Sequence, residues 1–351
     1  MLMAGIGAAP VLAVDVEDQS GVFGNLRVGF ITADDELGGD TDGSAIGGWL
    51  GYVTPRWRGL SAGATFFTTQ ELFDDSNGDF FSSDNNSYSI RGEVYLQGTF
   101  GNTMIKAGRY RFDSPYADTD DIRMIPNTFE GALITNTDLS NIVLYLTHLD
   151  EWAGVDADRP EEFQELNGDH GITAGGAVYD GIGNLALQAW YYYGHDFAKL
   201  LYLEAVYETG LFAVGAQYGD QADDTDDNSG PDGKVYGYFG SVTLYHVTLV
   251  TAYNDVSGTV TNGFGGGPFF TSADDHTIDG TADQKAAAFN LEYGGVEGLT
   301  LGVWHTDFDI GEDDTDYYAL YDVNDGLGLE FIHTDMYDDG HFVRLIVNYR
   351  F

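Results

Sequence analysis

The sequence predicts an all-β protein, a transmembrane antiparallel β-barrel of about 18 strands with short periplasmic turns and long acidic extracellular loops. Three observations favour this fold class. The last strand is amphipathic with a period of two, strand-like segments of similar length recur along the whole chain, and long acidic connections alternate with short ones.

The last ten residues, FVRLIVNYRF, contain the clearest alternation. Most of the apolar side chains, including Val343, Leu345 and Tyr349, fall on one side, and Arg344 and Asn348 fall on the other. Successive side chains of a strand point to opposite faces, so this strand suits a wall between lipid and water. A soluble sandwich can contain one such strand, so the prediction depends on repetition.

Similar segments do recur, and residues 88–100 and 200–208 alternate most clearly. About ten residues is the length at which a tilted strand crosses a bilayer. The predicted strands are 22–33, 44–54, 60–70, 88–99, 103–111, 128–135, 139–149, 171–179, 184–193, 200–208, 211–219, 234–244, 245–254, 286–294, 298–306, 317–322, 326–334 and 342–351.

The predicted connections alternate strictly in length, and Asp and Glu are concentrated in the long ones. Outer-membrane barrels have long extracellular loops and tight periplasmic turns. The long connections are predicted at 34–43, 71–87, 112–127, 150–170, 220–233, 255–285, 307–316 and 335–341, with a shorter one near 194–199.

Composition agrees with a barrel and excludes several functions. The mean hydropathy of -0.19 fits a wall in which only alternate residues face lipid. The absence of cysteine excludes disulfides, thiol chemistry and sulfur metal sites. With 14 basic and 57 acidic residues, the net charge is -43, which excludes nucleic acid as a partner and favours cations.

The N-terminus predicts export. Residues 1–13 are an apolar run too short to span a membrane, and we interpret them as a signal peptide cleaved before Val14. The basic start of such a peptide is missing, so the true start codon is expected upstream; a disordered or buried tail is the alternative. Residues 14–351 are then one barrel domain in the bacterial outer membrane.

The segment 108–136 stands out because Arg109 and Arg111 end a strand and are followed by an acidic loop and the run Asn127–Gly131. This segment resembles the third loop of the OprD family of outer-membrane porins. Residues 45–72 are similar to the related major-outer-membrane-protein porins of epsilon-proteobacterial type.

The resemblance implies a passive porin whose third loop, at 112–127, folds inward and narrows the pore. It implies substrates among small cations, basic amino acids, peptides or small carboxylates, or other small polar solutes, a homotrimer, and Phe351 as the terminal assembly signal. The acidic loops are expected to face the cell exterior, where outer-membrane lipid and lipopolysaccharide lie. OprD-type channels also have a ladder of basic side chains, for which this chain offers few members: Arg91, Arg109, Arg111, Arg123 and Arg344. We therefore expect a preference for cations.

The free-energy cost of placing a charged side chain in lipid predicts where these arginines lie. An arginine on the lipid face costs about 2–4 kcal/mol at the bilayer midplane, so Arg91, Arg109, Arg111 and Arg344 are expected in the lumen. The acids expected to face them across a narrow gap with a transverse field are Asp118, Asp120, Asp121 and Glu130. Ion pairs that only pin the loop to the wall are the alternative. Alternation counted from Arg109 puts Lys106 on the lipid face, near an interface or a bulge.

Clustered carboxylates also suit Ca²⁺, and Asp120 or Asp121 is the first expectation for an ordered site; diffuse counter-ions are the alternative. No other cofactor is expected. The chain contains no GxSxG or HExxH motif, so we do not expect an enzyme.

Two further classes stay open on the sequence alone. One is a structural or adhesive outer-membrane barrel with a plugged lumen, which packed inward aromatics such as Tyr95, Trp190 and Tyr192 would favour. The other is a soluble, secreted, halophilic β-protein.

Overall fold

Antiparallel strands form the wall of this protein in the computed structural model, which describes residues 20–35, 39–73, 78–225, 229–311, 313–336 and 340–351. Eighteen long strands and one two-residue strand belong to one sheet in this part of the chain. The first and last strands pair with each other, so the sheet closes into a barrel. The predicted fold class is confirmed.

The strands follow one another around the barrel in chain order. Their bounds are β1 Gly21–Asp35, β2 Gly39–Val53, β3 Leu60–Glu71, β4 Tyr88–Phe100, β5 Thr103–Tyr110, β6 Thr128–Asn136, β7 Ile142–Ala153, β8 Gln164–Glu165, β9 Ile172–Ile182, β10 Leu185–Gly194, β11 Ala198–Glu208, β12 Phe212–Asp223, β13 Gly233–Leu244, β14 Val247–Gly258, β15 Lys285–Val296, β16 Leu299–Phe308, β17 Asp314–Asn324, β18 Leu327–Met336 and β19 Gly340–Arg350. The short β8 lies in the loop that follows β7 and pairs with the C-terminal end of β7.

Alternation sorts side chains between lipid and lumen as the sequence predicts. On β1, Leu26 and Phe30 are exposed on the outside, whereas Asn25 and Arg27 are buried inside the barrel. On β19, Arg344 and Asn348 face inward. Phe342 also faces inward, although most apolar residues of this strand point to lipid.

The strict alternation of long and short connections is wrong. Strands on the extracellular side run further than predicted, so β1 already ends at Asp35 and β2 begins at Gly39. Likewise β16 ends at Phe308 and β17 begins at Asp314. Polar residues there pair as extended strands above the bilayer, because hydrogen bonding along the ladder does not need apolar side chains. The connections of substantial length are 72–87, 111–127, 154–171, 224–232 and 259–284.

In the described ranges, one 3₁₀ turn, Gly78–Phe80, is present, and no helix there is long and apolar enough to cross a membrane. The predicted signal peptide at 1–13 lies outside the described residues.

Two loops fill the extracellular half of the barrel. We call residues 111–127 the third loop and residues 259–284 the seventh loop. Both contribute buried aromatic residues to the interior, among them Phe112, Tyr116, Phe269 and Phe270. Much of the apolar core of this protein is therefore the packing of these loops, together with Phe80 and Phe81 of residues 72–87, against the inner wall.

Candidate functional site: the loop-lined channel

The third loop leaves β5 and packs against strands from another part of the wall. The Tyr116 ring makes edge-on contacts with Tyr192 of β10, at 5.4 Å between centroids, and with Tyr202 of β11, at 6.0 Å. Phe112 meets Trp190 in the same way at 6.2 Å. Such aromatic contacts anchor a loop by burial and geometry together. The inward aromatic side chains therefore hold the third loop inside the lumen.

The third and seventh loops are joined through their backbones. The Asp118 amide donates to the Phe264 carbonyl at 3.1 Å, and the Phe264 amide donates to the Tyr116 carbonyl at 3.0 Å. These bonds form a short parallel bridge between Ala117 and Phe264, so the two loops are joined inside the barrel.

Two side-chain amides on the inner wall hold the seventh loop. Gln217 donates to the Pro268 carbonyl at 2.7 Å and accepts from the Phe270 amide at 3.0 Å. Asn254 accepts from the Thr271 amide at 3.1 Å and donates to Gln217 at 2.8 Å. Gln217, Asn254, Phe270 and Thr271 are buried, so the bonds among them replace water that the loop has excluded.

These amides cross over Gly237 of β13. A Cβ built on Gly237 would lie 2.3 Å from Gln217 Oε1 and 2.5 Å from Asn254 Nδ2. Glycine is therefore required at this position, because the Gln217 and Asn254 side chains approach its Cα closely. The absence of a side chain here lets both amides reach the loop backbone.

Arg27 on β1 holds the middle of the third loop. Its guanidinium donates to both Asp121 oxygens, at 2.6 and 2.9 Å, and to the Arg123 carbonyl at 2.5 Å. Nε donates to Asn348 Oδ1 at 2.7 Å, and Cζ lies 4.5 Å from the centroid of the Trp49 ring. A planar fork that pairs with a carboxylate at two points fixes orientation as well as charge.

Two further arginines hold the seventh loop. Arg123 of the third loop pairs with Asp275 of the seventh loop at 3.2 Å. Arg344 of β19 pairs with Asp274 of the seventh loop at 2.8 Å. Both sequence-predicted residues therefore lie at the channel, each beside an acid that the sequence reasoning did not select.

Arg109 and Arg111 lie on different faces, contrary to expectation. Arg111 follows the end of β5 and pairs inside the barrel with the buried Glu93 at 3.1 Å. Arg109 pairs across the sheet with Val94, whose side chain is exposed on the outside. Its guanidinium lies 2.5 Å from Glu130, which shares this outer face, and packs on Phe163. The lumen positions predicted for Arg109 and Glu130 are therefore wrong. Both residues lie at the extracellular end of their strands. The Glu130 carboxylate and the Phe163 ring, and not lipid, contact the Arg109 guanidinium there, so its outward position costs little free energy.

Arg91 also lies outside the lumen. The pairing of β3 with β4 shifts between Thr65 and Phe67, so Glu93 and Ile90 both face inward although three positions separate them. This bulge reverses the alternation, and Arg91 is exposed on the outer face near the extracellular end of β4. A bulge inserts one residue and cannot be read from polarity alone.

Lys106 is inside the barrel, not on the lipid face. It is 1% exposed, and Nζ lies 4.6 Å from the Tyr95 ring centroid and 5.8 Å from that of Tyr110. The prediction failed because it was counted from Arg109, which itself faces out.

The remaining acids of the third loop form a group with the fourth loop, residues 154–171. Burial raises the pKa of Asp118 to about 7, helped by the charges of Asp113 and Asp156. Burial and the charge of Asp156 also raise the pKa of Asp120. Asp120 has a positive φ of 33°. Asp121 does not belong to this group, because both of its oxygens bind Arg27.

No set of three His, Asp or Glu side chains in the described ranges is already arranged as metal ligands. The expected calcium site at Asp120 or Asp121 stays a prediction.

Comparison with known proteins decides the family. A family model described as outer membrane porin, OprD family, matches residues 75–298. The chain belongs to the OprD family.

Solved structures of OprD-type and related porins have the same fold. OccK8 (OprE) of Pseudomonas aeruginosa is 18% identical with a TM-score of 0.82, and the match covers 95% of this chain and 98% of that one. OpdK of Pseudomonas aeruginosa, solved with vanillate, is 19% identical with a TM-score of 0.83, over 95% and 99%. A BenF-like porin of Pseudomonas fluorescens Pf-5 is 17% identical with a TM-score of 0.81, over 95% and 98%. No curated protein is significantly similar to the chain in sequence.

Membership of the OprD family settles the general function. The protein is an outer-membrane porin, a channel for small solutes in the bacterial outer membrane and not an enzyme. A plugged structural barrel and a soluble secreted protein are thereby excluded. The inward aromatic residues Trp190 and Tyr192 had made a plugged lumen conceivable from the sequence. In the structure they anchor the third loop.

Below the loops, this OprD-family porin has three inward glutamates that the sequence reasoning did not select. Glu204, Glu292 and Glu330 lie on β11, β15 and β18, each three or four positions from the periplasmic end of its strand. All three are half-buried. Their signal was present, since Glu204 alternates with outward leucines in 200–208. A lone carboxylate on the inner face of one strand does not by itself indicate a site, so polarity alone did not single it out.

Phe351 lies at the seam of the barrel. Its amide donates to the Gly24 carbonyl at 3.0 Å, and the ring stacks on Tyr349 and is exposed on the outside. A role as the assembly signal stays a prediction.

Proposed function

We propose that this porin passes small cations in preference to anions. The observation that supports the proposal is that three inward glutamates have only neutral hydrogen-bond donors as partners, whereas the inward arginines have carboxylates. Glu204 accepts hydrogen bonds from Tyr202 and Gln188, Glu292 from Tyr318, and Glu330 from Asn348, all of which are neutral donors. In the part of the chain that the structure describes, none of these glutamates has an ion pair with Lys or Arg.

The inward arginines differ from these glutamates. Arg27, Arg111, Arg123 and Arg344 each lie beside a carboxylate, so their fields are largely compensated. Where the inward arginines are paired while these three glutamates meet only neutral groups, the glutamates contribute an uncompensated negative potential. Negative potential in a narrow water-filled passage raises the local concentration of cations and excludes anions.

Single-channel recording in planar bilayers under a salt gradient, with EDTA present, tests this. We expect a reversal potential of the sign given by cation permeation. Replacing the three glutamates together by Gln should move it towards zero, whereas Glu297→Gln, in the exposed turn after β15, should leave it unchanged. Anion preference in the wild type, or the absence of conductance, would contradict the proposal.

The remaining expectations are further proposals. We propose Asp120, near Asp118 and Asp156, as the place where Ca²⁺ would bind; burial first, and then the charge of Asp156, raises its pKa, and a bound cation would offset both. Calcium-dependent protection of the third loop from protease, lost in Asp120→Asn, tests this. We also propose a homotrimer that contacts lipopolysaccharide. Chemical cross-linking in outer-membrane preparations tests the assembly, and copurified lipopolysaccharide tests the lipid contact.

A further inference from the structure

A group of buried carboxylates lies between the seventh loop and the inner wall, away from Asp120. We call Asp274, Asp314 and Asp316 the β17 carboxylate cluster. Asp314 and Asp316 begin β17 and face inward, and Asp274 belongs to the seventh loop. The Asp274 amide donates to Asp316 Oδ2 at 2.9 Å, which brings the loop directly onto the strand.

Asp314 is the most unusual member of the cluster. Its side chain is 0% exposed, and neither carboxylate oxygen has a hydrogen-bond partner among the described residues. Its strand neighbours do not compensate it, because Thr306 across the sheet donates instead to the Thr271 carbonyl. Buried carboxylates without partners carry the full cost of desolvation unless a proton or a cation compensates the charge.

The charge around the cluster is unbalanced. Arg344 is its one guanidinium partner in the described residues, through a single bond from Nη2 to Asp274 Oδ1. Arg344 Nη1 and Asp274 Oδ2 are both buried without partners. Arg123 is nearby but already pairs with Asp275. Three buried carboxylates against one guanidinium therefore leave an excess of negative charge.

The geometry points to a divalent cation bound by this cluster. We infer that Asp314 supplies two oxygens and that Asp274 Oδ2, which is buried without a partner, supplies a third. All the available ligands are hard oxygens, which suit Ca²⁺ or Mg²⁺. No three carboxylates in the described ranges already converge, so the site rests on two carboxylates completed by carbonyl oxygens and water, an arrangement common for hard cations.

Such an ion would fasten the seventh loop to β17. Asp274 connects through Arg344 to β19, so the cation would join the loop to two wall strands at once. The width of the channel would then depend on divalent ions, through a site distinct from any ion bound at the third loop.

Terbium luminescence on the full-length protein in detergent micelles tests the inference. Trp304 pairs with Asp316 across the sheet and is buried, so it can transfer excitation to an ion in this cluster. We expect a saturable terbium signal that calcium displaces. Asp314→Asn should weaken terbium binding by about tenfold or more, because ligand charge sets affinity. Asp158→Asn, an exposed acid of the fourth loop, should bind terbium like the wild type.

Heat unfolding supplies a second readout. Calcium should raise the Tm of the wild type relative to EDTA, and the Tm of Asp314→Asn should not respond. Asp274→Asn, which removes a different ligand, should repeat this result if Asp314→Asn folds poorly. A wild type without a saturable signal, or variants that bind terbium unchanged, would overturn the inference. The inference would also be overturned if Asp314→Asn raised the Tm above that of the wild type by the same amount in calcium and in EDTA. A protonated carboxyl, and not a bound cation, would then compensate the buried charge of Asp314.

Discussion

Arg27 of β1 and Asp121 of the third loop form a two-point ion pair inside the barrel, with N–O distances of 2.6 and 2.9 Å. Arg27 is 3% exposed, and 94 positions separate the two residues in the chain. The first strand of the wall therefore holds the loop that narrows the channel.

Replacing Arg27 by Ala should widen and loosen the channel. The third loop would lose the paired bonds to Asp121 and the bond to the Arg123 carbonyl, so single-channel conductance and open-channel noise should both rise. Arg27→Lys keeps the charge but not the planar fork, and an intermediate effect is expected. Arg159→Ala, which removes an exposed ion pair with Glu162 on the fourth loop, is the matched control. Wild-type conductance and noise in Arg27→Ala would show that the pair does not hold the loop.

Removing the carboxylate of Glu93 should destabilise the barrel. Glu93 is 0% exposed and pairs with Arg111, so Glu93→Gln leaves a guanidinium beside a neutral partner in a buried place. Breaking a buried pair by changing one partner costs about 3 kcal/mol. Urea unfolding in micelles measures this loss, and the exposed Glu162→Gln should change stability by less than about 0.5 kcal/mol. Equal losses in the two variants would argue against a buried pair.

Packing of the third loop should tighten on acidification. The pKa of Asp118 is raised from 3.8 to about 7 in the folded loop, because burial and neighbouring acids disfavour its charge. A carboxyl with a raised folded pKa contributes stability that is complete below the unfolded pKa and is lost as pH rises through the folded pKa. Open-channel noise should therefore fall as the pH is lowered from about 8 to about 5. Asp118→Asn should remove most of this pH dependence, and Asp158→Asn should retain it. An unchanged pH profile in Asp118→Asn would assign the effect to another group.

Adding a methyl group at Gly237 should release the seventh loop. The new Cβ would collide with Gln217 and Asn254, which hold the loop backbone. We expect faster proteolysis within residues 259–284 and a higher conductance. Gly240→Ala on the same strand is the control, since its Cβ would meet no atom within 4 Å. The prediction fails if the two variants are cleaved at the same rate.

The wall of this porin was predictable because one physical rule governs it. Every residue of a strand between lipid and water faces one or the other, so polarity with a period of two locates nearly all the strands. The rule stops at the extracellular ends, where Asp34 and Asp314 lie in polar segments that pair as strands without lipid contact.

The channel was less predictable, because its contacts join distant parts of the chain. Polarity places Arg27 on the inner face, but nothing local indicates that Asp121 is its partner. Arg91 and Arg109 were misplaced for a related reason. Arg91 lies at the bulge in β4. Arg109 lies above the lipid, where contacts with Glu130 and Phe163 reduce the cost of an outward charge.

The contacts of Arg27 also imply an order of events during insertion of the protein. Its Nε bonds to Asn348 of β19, which becomes its neighbour only when the first and last strands meet. Until that seam forms, the guanidinium that holds the third loop lacks one of its supports. The full set of contacts by which Arg27 orients the third loop is therefore complete only once the wall has closed.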